Sequence, residues 1–181
     1  MTFFSAANLL ISMEKEKIIL DYLNSHNTIA LSTVGDGLPY GATVFYLNRG
    51  FIIYFLTDPT SRHGRDMAGN PAVAATIDED YDNWLDIKGI QIEGTARTVG
   101  TIMENGPLAL AYARKFPAVK DFLLSPQKLD CTILQKITKV LFYELTPRRI
   151  YFINNAISFG HREEFLFSPG VLDYVPEKRE P

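Results

Sequence analysis

Apolar residues follow the period of a helix only near the start of the chain. Across Glu14–Ser25, Ile18, Ile19, Tyr22 and Leu23 fall on one face, with Glu14 and Glu16 in the first turn, where the helix dipole favours acids. The pattern then changes to short runs rich in β-branched and aromatic residues. Thr28–Val34, Pro39–Leu47 and Phe51–Thr57 are separated by Gly35-Asp36-Gly37 and Asn48-Arg49-Gly50, and turns this short make antiparallel neighbours. A fourth strand, Ala72–Ile77, consists largely of small residues, which leaves room for something bulky against it. After the acidic loop Asp78–Asn83, a fifth strand is expected over Ile87–Val99.

Thr101 and Glu104 form a capping-box signature, and Gly106-Pro107 opens a helix over Leu108–Phe116. Leu108, Tyr112 and Phe116 make a packing stripe on it, and a further turn or two of helix is expected over Ala118–Leu124. Ile137–Leu145 reads as a sixth strand, and Arg149–Ile153 as a seventh beyond a turn at Thr146-Pro147. From Glu177 onward the sequence reads as disordered. Six or seven closely spaced antiparallel strands favour a closed barrel with inserted helices, because closure hides sheet edges.

Composition narrows the class. A chain of 181 residues with 46 % hydrophobic and 22 % charged residues fits one soluble domain. A net charge of −3 gives no basic excess for a nucleic-acid backbone, so no nucleic-acid partner is expected. The apolar start, Phe3 to Ile11, lacks a positive leader and is too short to span a bilayer, so no membrane association is expected. A lone cysteine, Cys131, fits a reducing, cytoplasmic setting. Residues 1–13 read as a flexible extension (Met13 being an alternative start to Met1), 14–167 as the folded domain and 168–181 as a tail.

Candidate chemistry gathers at one strand-to-helix junction, Thr57-Asp58-Pro59-Thr60-Ser61-Arg62-His63-Gly64-Arg65. Hydroxyls, arginines and a histidine at a helix N-terminus suit an anion, above all a phosphate. The plainer reading is that Thr60 or Ser61 caps the helix and the arginines lie in solvent. The acidic loop lacks the glycine and the final acid of a calcium loop, since Asn83 and Gly89 stand there. His26, His63 and His161 show no metal-ligand spacing, and no nucleotide-binding loop or nucleophile elbow is present. Redox chemistry here would need an organic cofactor.

The strand order, the run Thr57…Ser61-Arg62-His63, then Asn70-Pro71-Ala72, then Trp84…Lys88-Gly89-Ile90-Gln91-Ile92-Glu93-Gly94, resembles the pyridoxamine 5′-phosphate oxidase-like family of FMN-binding split barrels. Together with Phe159-Gly160-His161-Arg162, it resembles most an uncharacterised bacterial branch of that family. The resemblance covers about residues 14 to 167 and implies a mainly β protein, a six-stranded antiparallel split β-barrel. It also implies a homodimer with FMN in the inter-subunit cleft, acting as a flavin-dependent oxidoreductase on an unknown small molecule. Carried onto matching positions, Thr57, Ser61, Arg62 and His63 would hold the phosphate, with Arg65 as a further candidate. Ala42, Thr43 and Val44 would lie against the flavin ring, and Lys88 and Gly89 near its pyrimidine edge.

Three departures qualify this. His63 stands where the oxidases carry a lysine, Gly89 replaces their glutamine, and their C-terminal substrate motif is not recognisable. Vitamin B6 oxidation is therefore disfavoured, and no residue stands out as a catalytic acid or base. Two other readings stay open: a non-catalytic flavin carrier or sensor, and a heme-binding split barrel with His63 or His161 as axial ligand. Deazaflavin is an alternative to FMN. Trp84 reads as a core anchor rather than a stacking platform.

Overall fold

The computed structural model describes residues 6–120, 139–168 and 171–175. Helix α1 (Ala6–Ser25) leads into β1 (Thr28–Gly35), β2 (Leu38–Arg49) and β3 (Ile52–Thr57). Helix α2 (Arg62–Gly69), β4 (Ala72–Asp78), β5 (Lys88–Thr101) and helix α3 (Gly106–Lys115) follow. The chain continues with β6 (Leu141–Asn154), β7 (Arg162–Ser168) and β8 (Val171–Val175). All ladders are antiparallel, in the order β3-β2-β1-β4-β5-β6-β7-β8, and a further β3–β6 pairing closes the first six strands into a barrel.

Alternation along the strands fills that barrel. Ile53, Phe55, Ile90, Ile92, Leu145 and Tyr46 point inward and are almost fully buried. α1 contributes Ile19 and Leu23 to the same core, where the Tyr46 hydroxyl donates to the Leu23 carbonyl at 2.7 Å. Met67 of α2 is buried in it too. The expected stripe on α3 is present: Leu108 and Tyr112 are buried, Tyr112 meets Phe142 edge-on, and Phe116 packs beside Tyr112. Thr101 and Glu104 exchange the bonds of a capping box, the Thr101 N–H donating to Glu104 at 2.7 Å and the Glu104 N–H to Thr101 at 3.2 Å. Those two bonds close a turn just ahead of α3 rather than starting a helix at Thr101.

Several elements differ from the sequence reading. α1 begins at Ala6 rather than Glu14. The expected turn at Thr146-Pro147 is absent, because β6 runs unbroken from Leu141 to Asn154. Pro147 is accommodated where the β5–β6 register shifts between Glu93 and Gly94; there it faces Gly94, where a Cβ would lie 2.4 Å from the Thr146 carbonyl. A bulge needs no ladder N–H at that point, and glycine supplies the space. β7 and β8 were not anticipated, and they bury Phe165 and Leu172. Trp84 is not a core anchor: it is 72 % exposed in a short 3₁₀ turn and stacks on Phe159. Of the expected segment from Ala118 to Leu124 only Ala118, Val119 and Lys120 are described, the first two in the 3₁₀ turn Pro117–Val119; the remainder, Ile137, Cys131 and the stretch from Glu177 lie outside the described residues.

One feature of the barrel positions the site. β2 pairs with β1 over Leu38–Phe45 and with β3 only over Tyr46–Arg49. Among the described residues, the second edge of Leu38–Phe45 therefore has no strand beside it. The chain leaving β3 at Thr57 turns into α2 next to that open edge.

Candidate functional site

The junction is built by Asp58. Its carboxylate accepts the N–H and the hydroxyl of Thr60, each at 2.7 Å, and its carbonyl accepts the Ser61 N–H at 3.0 Å. The Thr60 bonds hold the Asp58 carboxyl below the usual carboxylate range. Ser61 is the N-cap of α2, its Oγ accepting the Gly64 N–H at 3.2 Å. Gly64 is required there, since a Cβ would lie 2.7 Å from both the Asp58 and Pro59 carbonyl oxygens. The capping reading is thus correct for Ser61. It leaves the N–H groups of Arg62 and His63 without a carbonyl partner inside the helix.

Around this turn the structure gathers a polar triangle. His63 Nε2 lies 2.5 Å from Thr57 Oγ1 and 3.3 Å from Ser61 Oγ, and the two hydroxyl oxygens are 3.5 Å apart. Burial pushes the His63 imidazole below its ordinary pKa, with the Asp66 carboxylate pulling the other way. His63 is therefore a neutral hydrogen-bonding group at neutral pH. The permanent charge is Arg62, whose guanidinium lies 4.7 Å over the Tyr40 ring. That ring is nearly parallel to the His63 imidazole, at 6.5 Å and 6°.

Tyr40 stands on the open-edged half of β2, and Ala42 and Val44 share its face by alternation. Thr43 points the other way and pairs with Ala30. Along that outer face, Thr43, Ala30, Thr76 and Gln91 form one cross-strand row of mostly small residues. Arg65 sits one turn into α2; its guanidinium donates to the Thr60 carbonyl and lines a groove beside the β1–β2 turn.

Lys88 and Gly89 open β5, three strands from β2 in the sheet order, or about 14 Å at the usual strand spacing. The Lys88 ammonium lies 5.5 Å from the Tyr22 ring and 5.6 Å from the Phe152 ring. Its carbonyl accepts the Tyr22 and Tyr81 hydroxyls at 3.0 and 3.1 Å. Gly89 is packed against the Ile77 carbonyl, 3.1 Å from where a Cβ would stand. The ten candidate residues thus form three groups: five polar or cationic residues at the α2 turn, Ala42, Thr43 and Val44 on the open-edged half of β2, and Lys88 and Gly89 at the start of β5.

Sequence reasoning missed Tyr40, Thr33 and Gln91. The Thr33 hydroxyl, fully buried, donates to Asp66 at 2.9 Å and ties α2 to β1. The only trace of Tyr40 was its phase in β2, which places it on the face of Ala42 and Val44.

A closed six-stranded antiparallel barrel, opened along one strand edge beside a polar helix N-terminus, defines a split-barrel protein. The chain belongs to the pyridoxamine 5′-phosphate oxidase family, whose model matches residues 16–154. A UPF0306 protein of Photorhabdus laumondii is 34 % identical over 153 residues, 82 % of this chain and 94 % of that protein. The fold recurs in an FAD-binding protein of Mesorhizobium loti, with a TM-score of 0.55 and 15 % identity over 74 % of this chain and 88 % of that one. It recurs also in HutZ, the heme storage protein of Vibrio cholerae, with a TM-score of 0.58 and 18 % identity over 73 % of this chain and 89 % of that one. At these identities the two structures establish the shared fold alone. No helix among the described residues is long and apolar enough to cross a membrane.

Proposed function

We propose that the chain binds FMN and acts, as a homodimer with the cofactor in the inter-subunit cleft, as a cytoplasmic flavin-dependent oxidoreductase on a small molecule. The observation that carries this reading is the Thr57–Ser61–His63 triangle at the start of α2, with Arg62 beside it on Tyr40. The donor set fits a phosphate monoester. Hydroxyls and helix N–H groups donate hydrogen bonds, the neutral imidazole of His63 holds the two hydroxyls in place, and Arg62 supplies the charge that the absent lysine does not. FMN, when bound, supplies hydride acceptance and donation at its ring. The chain's own residues anchor the phosphate, orient the ring along the uncovered β2 edge and exclude water from it.

Heme is less well served. In both candidate axial histidines Nε2 is already engaged, by Thr57 in His63 and by Glu163 at 3.1 Å in His161.

Titrating the purified protein with FMN and with riboflavin tests the reading, with the visible spectrum and the melting temperature as readouts. Both should shift with FMN. Arg62→Ala should weaken FMN binding about tenfold, the worth of a charge-assisted hydrogen bond, and riboflavin binding far less. No response to FMN, or equal losses for the two ligands, removes the proposal.

A further inference from the structure

Lys115 ends α3, and its side chain is half-buried where that of its neighbour Arg114 is exposed. Its ammonium donates to the His26 carbonyl at 2.7 Å, in the short link between α1 and β1. The same nitrogen stands 4.4 Å from the centre of the Tyr46 ring in β2 and 5.7 Å from that of Phe116. One amine thus meets the exit of α1, the barrel wall and the end of its own helix.

Nothing anionic answers that amine. Lys15 and Lys17 are paired with Glu163 and Asp21, whereas Lys115 has no carboxylate partner among the described residues. The Glu79 carboxylate on the neighbouring loop is engaged by the His26 ring at 3.0 Å. The two tyrosines of the surroundings are bound elsewhere: the Tyr46 hydroxyl donates to the Leu23 carbonyl at 2.7 Å, and that of Tyr112, which packs on Phe116, to the Phe45 carbonyl at 3.0 Å. Burial raises both phenols above their ordinary range, so neither becomes a phenolate that could hold the ammonium. The His26 carbonyl and the C-terminal end of α3 favour the charged form. Burial outweighs them and lowers the Lys115 pKa to about 8.

We infer that Lys115 is a modification site, the residue at which the chain accepts an acyl group from a small activated donor, an acyl phosphate or an acyl thioester. The lone pair of Nζ attacks the acyl carbon and a C–N bond forms. The bond from that carbon to the phosphate oxygen or thiol sulfur breaks, the leaving group takes its electron pair, and the nitrogen releases a proton to water. The amide product loses the charge over Tyr46 but keeps one N–H for the His26 carbonyl, so the fold accommodates it. The inference is independent of the FMN reading.

At pH 7 about a tenth of such an amine is neutral, against less than about one in a thousand for an ordinary lysine. Lower basicity also lowers nucleophilicity, so the net excess in rate is set at about tenfold. The full chain is treated at pH 7 with acetyl phosphate or with acetyl coenzyme A, at low conversion, and each lysine is followed by peptide mass spectrometry. Lys115 should be acetylated about tenfold faster than Lys17, whose side chain is 76 % exposed, and than exposed Lys120. An excess with either donor supports the site, and the donor that gives it identifies the source of the acyl group. The Lys115 rate should level off above about pH 8, while that of Lys17, whose pKa Asp21 raises, keeps climbing. In urea the excess should vanish, because the burial that creates it is gone. Equal or slower reaction at Lys115 with both donors would overturn the inference. So would a Lys115 rate that climbs in step with that of Lys17, or an excess that survives unfolding.

Discussion

Gly35→Ala is the most informative single change, because its sign depends on one other residue. The new methyl would lie 2.0 Å from Asp66 Oδ1 and 2.7 Å from its Cγ, so the carboxylate must swing away. Swinging away breaks its 2.9 Å bond from Thr33, whose side chain is fully buried and has no water to turn to. A buried hydroxyl left unsatisfied costs about 1–3 kcal/mol. Replacing glycine by alanine returns about 0.4–1 kcal/mol through the unfolded chain. The net expectation is about 1–2 kcal/mol of destabilisation, a fall in Tm of about 2–8 °C for a chain of this length.

Asp66→Ala should cost about 1–3 kcal/mol on its own, by orphaning the same hydroxyl. In that background the clash has gone, so adding Gly35→Ala should be neutral or slightly stabilising. Urea denaturation of the four proteins gives the coupling directly. If Gly35→Ala destabilises equally with and without Asp66, the Asp66–Thr33 tie is not what glycine protects, and the reasoning fails.

Two further outcomes concern neighbouring features. His63 is held below its ordinary pKa by burial, so above about pH 6.5 it is neutral both folded and unfolded and contributes no pH dependence. Below that, the unfolded chain takes up a proton that the folded one resists, and stability falls as the pH drops toward the lowered folded pKa. Denaturant curves at neutral and mildly acidic pH should show this loss reduced in His63→Gln; an unchanged loss would place its origin elsewhere. Asn155, itself buried, donates to the Trp84 carbonyl at 2.7 Å and accepts the Gly160 N–H at 3.1 Å, tying together two loops that carry exposed aromatics. Asn155→Ala should release Trp84 from Phe159 and alter the fluorescence of the sole tryptophan before the barrel unfolds; unchanged emission would mean the pair holds without that tie.

Where period and turn chemistry were local, the sequence was readable. β1 to β4, α2 and the stripe of α3 follow from alternation, glycine turns and helical spacing. Pro147 misled because its tolerance depends on a distant partner: the register shift at Gly94 makes its missing N–H harmless. Trp84 misled because a lone tryptophan between polar residues carries no sign of which side of the chain is solvent. The hydroxyls and His63 were visible as a run of residue types. Their mutual geometry also needed Thr57 to end its strand one turn before the helix, and Tyr40 entered only through the third dimension. β7 and β8 had a local signal, Phe165-Leu166-Phe167 across Ser168-Pro169-Gly170 to Val171-Leu172, but its charged lead, Arg162-Glu163-Glu164, resembles a solvated tail.

The barrel is closed by five residue pairs, Ile53–Leu145 through Thr57–Leu141. Thr57 is both the last rung of that closure and a corner of the polar triangle. If the phosphate proposed above binds at Thr57, occupancy and closure become one equilibrium. A ligand at a hundred times its Kd adds about 2.7 kcal/mol to the closed form. That increment would slow amide exchange along Ile53–Thr57 and Leu141–Leu145 before it is felt on β7 and β8, which hang from the far half of β6. Loss of such a ligand would thereby loosen a seam rather than melt a fold.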